Sequence, residues 1–257
     1  MNPAPARRLD HVVIAVRDLD DGIARYRALG FDARSGGRHT GRGTHNAIVR
    51  FGLDYLELIS VYDEAEARAA GRNELLDVLD SREGLVAYAL ATDDIEGEAE
   101  RIRAAGLPLI GPFAMERLRP DGSTLSWRLV IPGDGSYRRP WPFFIQWDQP
   151  DAERLARDGA TAHPNGARGV RTITVGVRDL PAARHLYAEA LGLVPAGHDA
   201  FRAGTARITL VQAPEDGPRA IGLAASTDRE LDHALAGASI VLEGYAGPSS
   251  SRRASIT

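Results

Sequence analysis

Cysteine is absent from these 257 residues, which excludes disulfides, zinc–thiolate sites and cysteine nucleophiles. Long apolar runs are missing as well. No stretch reaches the roughly 20 residues of a membrane-spanning helix, and MNPAPARRLDHVV holds no apolar segment of signal-peptide length before the first strand pattern begins. A soluble, cytoplasmic protein is expected. Charge of one sign is also scarce: the net charge is −4, and Arg7-Arg8 and Arg138-Arg139 are short basic pairs, so a nucleic-acid surface is not expected. There is no glycine-rich phosphate loop before a helix, no G-x-S-x-G and no carboxylate pair at glycosidase-like spacing. With 44% apolar and 26% charged residues, the chain has a globular balance and can bury one large core or two ordinary ones.

What the chain does contain is repetition. Residues 9–19 read LDHVVIAVRDL, residues 85–95 LVAYALATDDI and residues 170–180 VRTITVGVRDL. Each is an alternating apolar run, an acidic turn, and then a helical pattern ending in Leu-Gly or Ala-Gly, so each copy predicts the same supersecondary unit. In the first copy Val12, Ile14 and Val16 alternate with His11, Val13 and Ala15. Asp18 or Asp20 can cap a helix carrying Leu19, Ile23, Tyr26 and Leu29, and Gly30 ends it. A turn region at Ser35-Gly36-Gly37 follows, then the strand-like runs HNAIVRF and YLELISV, joined by Gly52-Leu53-Asp54. The unit reads β-α-β-β-β.

The second copy runs from Leu85 to about Trp147. Its helix starts near Asp93-Asp94 and stops at Gly106, and its last strands, LSWRLVI and PFFIQW, flank a Gly- and Pro-rich loop. Between the copies, residues 61–83 are charge-rich, with a helical patch from Leu75 to Leu79 that reads as a linker or covering helix. The third copy spans Val170 to about Gln212, with Pro181 in the first helical turn. Residues 219–243 suggest strand, helix and strand, a fourth copy lacking its last hairpin. The organisation expected is therefore α+β: tandem βαβββ modules paired into open half-barrels. Modules one and two fill 1–148, a linker 149–168, module three and a truncated module four 169–246, and a flexible tail 247–257.

Tandem β-α-β-β-β units with His on a first strand and Glu on a fourth resemble the vicinal oxygen chelate superfamily, which includes glyoxalase I, extradiol dioxygenases, fosfomycin-resistance enzymes and bleomycin-binding proteins. More narrowly, LDHVVIAVRDLDDGIARYRALGF, GTHNAIVRFG, YLELISV, LSWRLVIP, PFFIQWD and HPNGARGV look like the glyoxalase-like domain family. The fold hosts metal enzymes, cofactor-free enzymes and binders alike.

Strand parity nominates the site residues. His11 lies opposite the helix-facing Val12, Ile14 and Val16, and Glu57 lies opposite Leu56 and Leu58, so both are expected in the cavity. The resemblance implies that they are the two metal positions of the module; the other reading is a hydrogen-bonded pair in a polar pocket. The repeats align Ala87 with His11 and Gln146 with Glu57. Gln146 would then complete a His11–Glu57–Gln146 site for Zn, Mn, Fe or Ni, or hydrogen-bond a ligand. His45, as ligand or general base, or Asn46 faces inward according to the loop at Gly52-Leu53-Asp54, since a one-residue slip reverses every side chain. Trp127 is expected to line the pocket, Arg50 and Arg128 to anchor an anionic substrate, and Phe143 and Trp147 to face the helix. Thr172 and Thr209 take the ligand positions in module three and exclude a metal there. The function these features imply is a glyoxalase- or dioxygenase-type enzyme of the lyase, isomerase or dioxygenase class, in which a divalent metal, or His11 and Glu57 as acid and base, acts on a substrate with adjacent oxygens. The alternative is a non-catalytic binding or resistance protein using the same cavity. A small molecule is the expected partner, with a homodimer left open and neither nucleic acid nor membrane expected.

Overall fold

A computed structural model describes residues 7–71, 73–159, 161–225, 229–231 and 239–244. Three aspartates set the repeated helices. Asp18 accepts the Asp21 N–H at the start of α1 (Leu19–Ala28), Asp94 that of Gly97 at α4 (Ile95–Ala104), and Asp179 that of Ala182 at α6 (Leu180–His185). Gly30 and Gly106 follow the first two helices at positive φ, where a side chain would strain the chain. The apolar stripes, such as Leu19, Ile23 and Tyr26, are buried and pin each helix to the outside of its sheet.

Modules one and two form one closed barrel. Its strands are β1 (Arg8–Ala15), β2 (Ala33–His39), β3 (Thr44–Arg50), β4 (Tyr55–Val61), β5 (Gly84–Ala91), β6 (Leu109–Leu118), β7 (Thr124–Pro132) and β8 (Phe143–Trp147), in the order β1-β4-β3-β2-β6-β7-β8-β5. β1 runs parallel to β4 and antiparallel to β5, so each module contributes one half. The halves close further than the open half-barrel expected, because β2 and β6 also pair, through Arg38↔Leu118 and His39↔Arg117. Between the modules, α2 (Glu64–Ala69) and α3 (Asn73–Ser81) cover the barrel interior, with Leu75, Val78 and Leu79 in its apolar cluster.

After α5 (Asp151–Asp158), the chain builds a second sheet in the order β10-β11-β12-β9-β13-β15-β14. Its strands are β9 (Gly169–Val177), β10 (Pro195–Gly197), β11 (Ala200–Ala203), β12 (Ala206–Gln212), β13 (Gly217–Ala225), β14 (Arg229–Leu231) and β15 (Ser239–Gly244); α6 runs on into a π-helical turn at Leu186–Ala190. The barrel's pairing logic recurs here: β9 is parallel to β12 and antiparallel to β13, which is parallel to β15. Arg229–Leu231 is a strand where the fourth repeat suggests helix; the rest of that expected helix, and the expected flexible tail, lie outside the described residues.

One core joins the two sheets. Tyr88, Leu90 and Phe144 on the outer barrel face cluster with Tyr187, Leu191 and Phe201, and the Tyr88 and Tyr187 hydroxyls hydrogen-bond to each other where both side chains are buried. Residues 161–170 are bonded in detail. His163 Nδ1 accepts from the Asp32 N–H and its Nε2–H donates to the Arg50 carbonyl, both at 3.0 Å, while Asn165 donates to the Leu29 carbonyl and Asp54 accepts the Val170 N–H.

Candidate active site inside the barrel

Two β-bulges aim the site's histidines. In β1, Leu9 pairs with Leu90 and His11 with Ala89, leaving Asp10 as an extra residue. In β2, Ser35 pairs with Ala47 and Gly37 with Asn46, leaving Gly36 extra. An extra residue reverses the faces of every side chain beyond it. Ala33 and Ser35 therefore share the helix side, whereas His39 points inward beside Thr44. Gly36 has no room for a side chain, since a Cβ there would lie 2.3 Å from Asn46 Oδ1.

The result is a buried polar row. Asp10 Oδ1 takes the hydrogen of His11 Nδ1 at 2.8 Å, and His11 Nε2 lies 3.4 Å from Glu57 Oε2. On the other side of Glu57, His39 Nε2 lies 3.6 Å from Oε1, with His39 Nδ1 on Thr44 Oγ1 at 2.9 Å. Asn46 Nδ2 donates to Glu57 Oε1 at 2.5 Å. Burial would raise the Glu57 pKa, but His11, His39, the Asn46 bond and Arg117 together hold it below the usual carboxylate range. Asp10 is treated the same way: burial opposes ionisation, while His11, Arg154 and Arg8 outweigh it and keep its pKa far down. An ionised Asp10 fixes the proton on His11 Nδ1 and leaves Nε2 facing the cavity.

The cavity has a volume of about 50 Å³, and its walls include His11, His39, Tyr55, Glu57, Arg117 and Trp127. Trp127 meets His39 edge-on at 6.0 Å, and the Tyr55 ring stacks on His11 at 4.7 Å. A wider outer cleft of about 1000 Å³ borders it and shares Ile131, Ser136 and Tyr137. The loop carrying Ser136 and Tyr137 is tied down by Glu74 of α3, which accepts both their N–H groups.

The nominated residues divide into those the barrel brings together and those it does not. His11, Glu57, Asn46 and Trp127 sit in or against the interior. His45 turns outward, pairing with Ser60 and packing 5.6 Å from Tyr62. The connection is the four-residue turn Phe51–Asp54, with Arg50 opposite Tyr55, which settles the parity in favour of Asn46. Arg50 stacks over the Tyr55 ring at 5.0 Å, bonds the Gly52 carbonyl and lies near Asp158, so its charge is already engaged. Arg128 is outside, on Glu96 and Gln146.

Gln146 does not join His11 and Glu57. Its Nε2 donates to the Asp93 carbonyl and its Oε1 accepts from the Ile95 N–H, both at 3.0 Å, which places the amide on the α4 side. The β8 register explains this: Ala89 pairs with Phe143 and Ala91 with Ile145, so Phe143, Ile145 and Trp147 share the inward alanine face. Phe143 and Trp147 thus line the cavity instead of facing the helix. The expected metal set is not assembled, and among the described residues no group of three or more His, Cys, Asp or Glu is placed to hold a metal ion. The two imidazoles approach opposite oxygens of Glu57, and Asn46 occupies one of those, so the donors surround the carboxylate instead of a common point. In the second sheet Thr172 donates to Glu243 Oε1 at 2.9 Å, a partner that the repeat alignment did not bring forward.

His39, Arg117, Asp10 and Tyr137 are the site residues that parity and alignment missed. For His39 the available signal was Gly36-Gly37, since adjacent glycines within a strand mark a bulge. For Asp10 it was the adjacency to His11.

Comparison with known proteins agrees with this architecture. A glyoxalase-like domain profile matches residues 9–191. A hypothetical protein from Staphylococcus aureus superposes with a TM-score of 0.76 at 16% identity over 93% of this chain and 100% of its own. A Mn(II)-bound glyoxalase from Novosphingobium aromaticivorans gives 0.53 at 12% identity, covering 86% of this chain and 66% of the other. A xylose isomerase-like TIM barrel/4-hydroxyphenylpyruvate dioxygenase fusion protein gives 0.53 at 16%, covering 87% and 37%. No curated protein matches the sequence. Repeats, topology and profile agree: the chain belongs to the glyoxalase-like domain family.

Proposed function

We propose that the barrel interior is the active site of a small-molecule enzyme that moves a proton on a carbon next to a carbonyl, with His11 as the base and Glu57 and His39 beside it. The observation that carries this is the Asp10–His11–Glu57 arrangement: a buried imidazole whose Nδ1–H is held by an ionised carboxylate and whose Nε2 opens onto a cavity. Burying two carboxylates, two histidines and an arginine together is costly, and such clusters concentrate at functional sites. A substrate C–H presented to His11 Nε2 would lose its proton there. Electron density would pass to the adjacent oxygen as an enediolate-like state. The proton would then return from the imidazolium at the same or the neighbouring carbon. The chain has no lysine, so an imine route through a lysine is excluded.

A Mn(II)-bound glyoxalase among the structural neighbours keeps metal dependence open as a property of the fold, but these donors do not form a preformed metal site and no step here requires one. A second reading, sequestration of an aromatic compound, is favoured by the rings of Tyr55, Phe143, Trp127 and Trp147 around the cavity. Proton NMR in deuterium oxide decides between them. Wild type should exchange the C–H beside the carbonyl of small hydroxy- and oxo-compounds, and His11→Ala should lose that exchange by roughly 100-fold or more. Exchange by neither protein, with tight binding of aromatic compounds, would favour sequestration.

A further inference from the structure

Arg117 is the group the proposed proton transfer leaves unexplained. It lies on the inner face of β6, directly across the barrel seam from His39, and is 4% exposed. Its Nε is buried without a hydrogen-bond partner, and among the described residues no carboxylate forms a salt bridge with it. The other buried charges are answered. Asp10 has Arg8, Arg154 and the Trp147 indole N–H, and Glu57 has His11, His39 and Asn46. Glu57 acts on Arg117 only through space, without a hydrogen bond; a buried guanidinium without a hydrogen-bonded carboxylate costs more than one that is paired, and this one lines the cavity.

The unmatched donor and the cavity together define a ligand chemistry. Nε–H with one terminal N–H of an arginine forms a planar fork that fits the two oxygens of a carboxylate, and the two terminal nitrogens also form one. The cavity of about 50 Å³ admits only a short body beyond that carboxylate unless the walls move. We infer that the substrate is a small carboxylate, an oxo- or hydroxy-acid, whose carboxylate is held by Arg117 so that the adjacent carbon faces His11. This rests on the proposed proton transfer for its orientation but not for its binding, which can be tested separately.

The probes are pyruvate and its neutral near-isostere pyruvamide, titrated into full-length wild type, Arg117→Gln, Arg117→Lys and His11→Ala. Pyruvate should bind wild type, and pyruvamide should bind at least tenfold more weakly. Arg117→Gln should weaken pyruvate by roughly tenfold or more, as expected for the loss of a charge-assisted pair. Arg117→Lys should fall between, and His11→Ala should retain binding within about threefold while losing deuterium exchange. Because a buried arginine variant can fail to fold, a second measurement uses wild type alone: the ¹⁵N-arginine Nε–H resonances, of which the slowly exchanging, buried one should move on adding pyruvate and stay put with pyruvamide. Equal binding of the two probes, or pyruvate binding with no movement of that resonance, overturns the carboxylate subsite and leaves the proton transfer standing. Carboxylate binding at Arg117 without exchange in any variant has the opposite meaning: the subsite survives and the proposed reaction does not.

Discussion

Glu57 draws four groups to itself, and the sign of its pKa shift sets how the protein should respond to acid. Its folded pKa is depressed, because His11, His39, Asn46 and Arg117 outweigh burial. The ionised side chain therefore contributes stability that is complete above the ordinary carboxylate pKa and is lost as pH falls through the lower folded value. Glu57→Gln should cost about 2–4 kcal/mol at pH 7, as one member of a buried charged set is removed. That cost should shrink below about pH 4, where wild type protonates as well. Thermal melts of both proteins from pH 7 to pH 3 give the comparison; a gap that stays constant over the range would show that the charge of Glu57 is not what matters. His163 behaves as a neutral residue. Burial lowers its pKa, and the Arg50 carbonyl and Asp32 only partly restore it, so its contribution is present above its ordinary value of about 6.5 and is lost as pH falls through the lower folded value. His163→Ala should lose about 2–3 kcal/mol at pH 8 through two hydrogen bonds and the contacts with Phe31 and Phe51. The loss should be smaller at pH 5, and denaturant midpoints at the two pH values check this.

Among the elements, β2 decides the most for its length. Without its extra residue, His39 would sit on the same face as Ala33 and Ser35, outside the barrel. Gly36 makes the bulge compatible with Asn46, whose oxygen occupies the space a Cβ would need. Gly36→Ala should therefore push Asn46 off Glu57, destabilise the protein by about 1–3 kcal/mol and lower proton exchange with it, whereas Gly41→Ala, with open space around it but positive φ, should cost stability alone. Exchange rates set against melting temperature for the two variants separate these effects; a Gly36→Ala protein with wild-type exchange would contradict the role given to Asn46. The alternation of apolar residues in β1 and β4 is regular enough that the facing of His11 and Glu57 could be read from the sequence. In β2 and β8 the same rule fails, because a bulge shifts one and the pairing to β5 sets the other.

On the scale of the molecule, the barrel and the second sheet share one apolar core, and the Tyr88–Tyr187 hydroxyl bond sits within it. Tyr88→Phe should leave the Tyr187 hydroxyl buried and unpaired at a cost of about 1–3 kcal/mol. The double variant with Tyr187→Phe should recover most of that loss, since removing both partners is cheaper than orphaning one. Urea denaturation of the singles and the double tests the coupling; strictly additive losses would show that the bond joins nothing. Among the described residues the second sheet has seven strands, in the order β10-β11-β12-β9-β13-β15-β14.

The sequence by itself determined the repeated units, their capped helices and the family, because these depend on local periodicity and on interactions within a few residues. It also indicated the facing of His11 and Glu57, because β1 from His11 onward pairs with β4 without a register shift. Only the tertiary structure decided that the barrel closes at β2–β6, that His39 and Arg117 meet across that seam, that Asn46 and not His45 turns inward, and that Gln146 belongs to the helix side. Each of these depends on register between strands distant in sequence. A single bulge or a longer turn reverses which face a side chain takes, and no pattern along the chain carries that pairing.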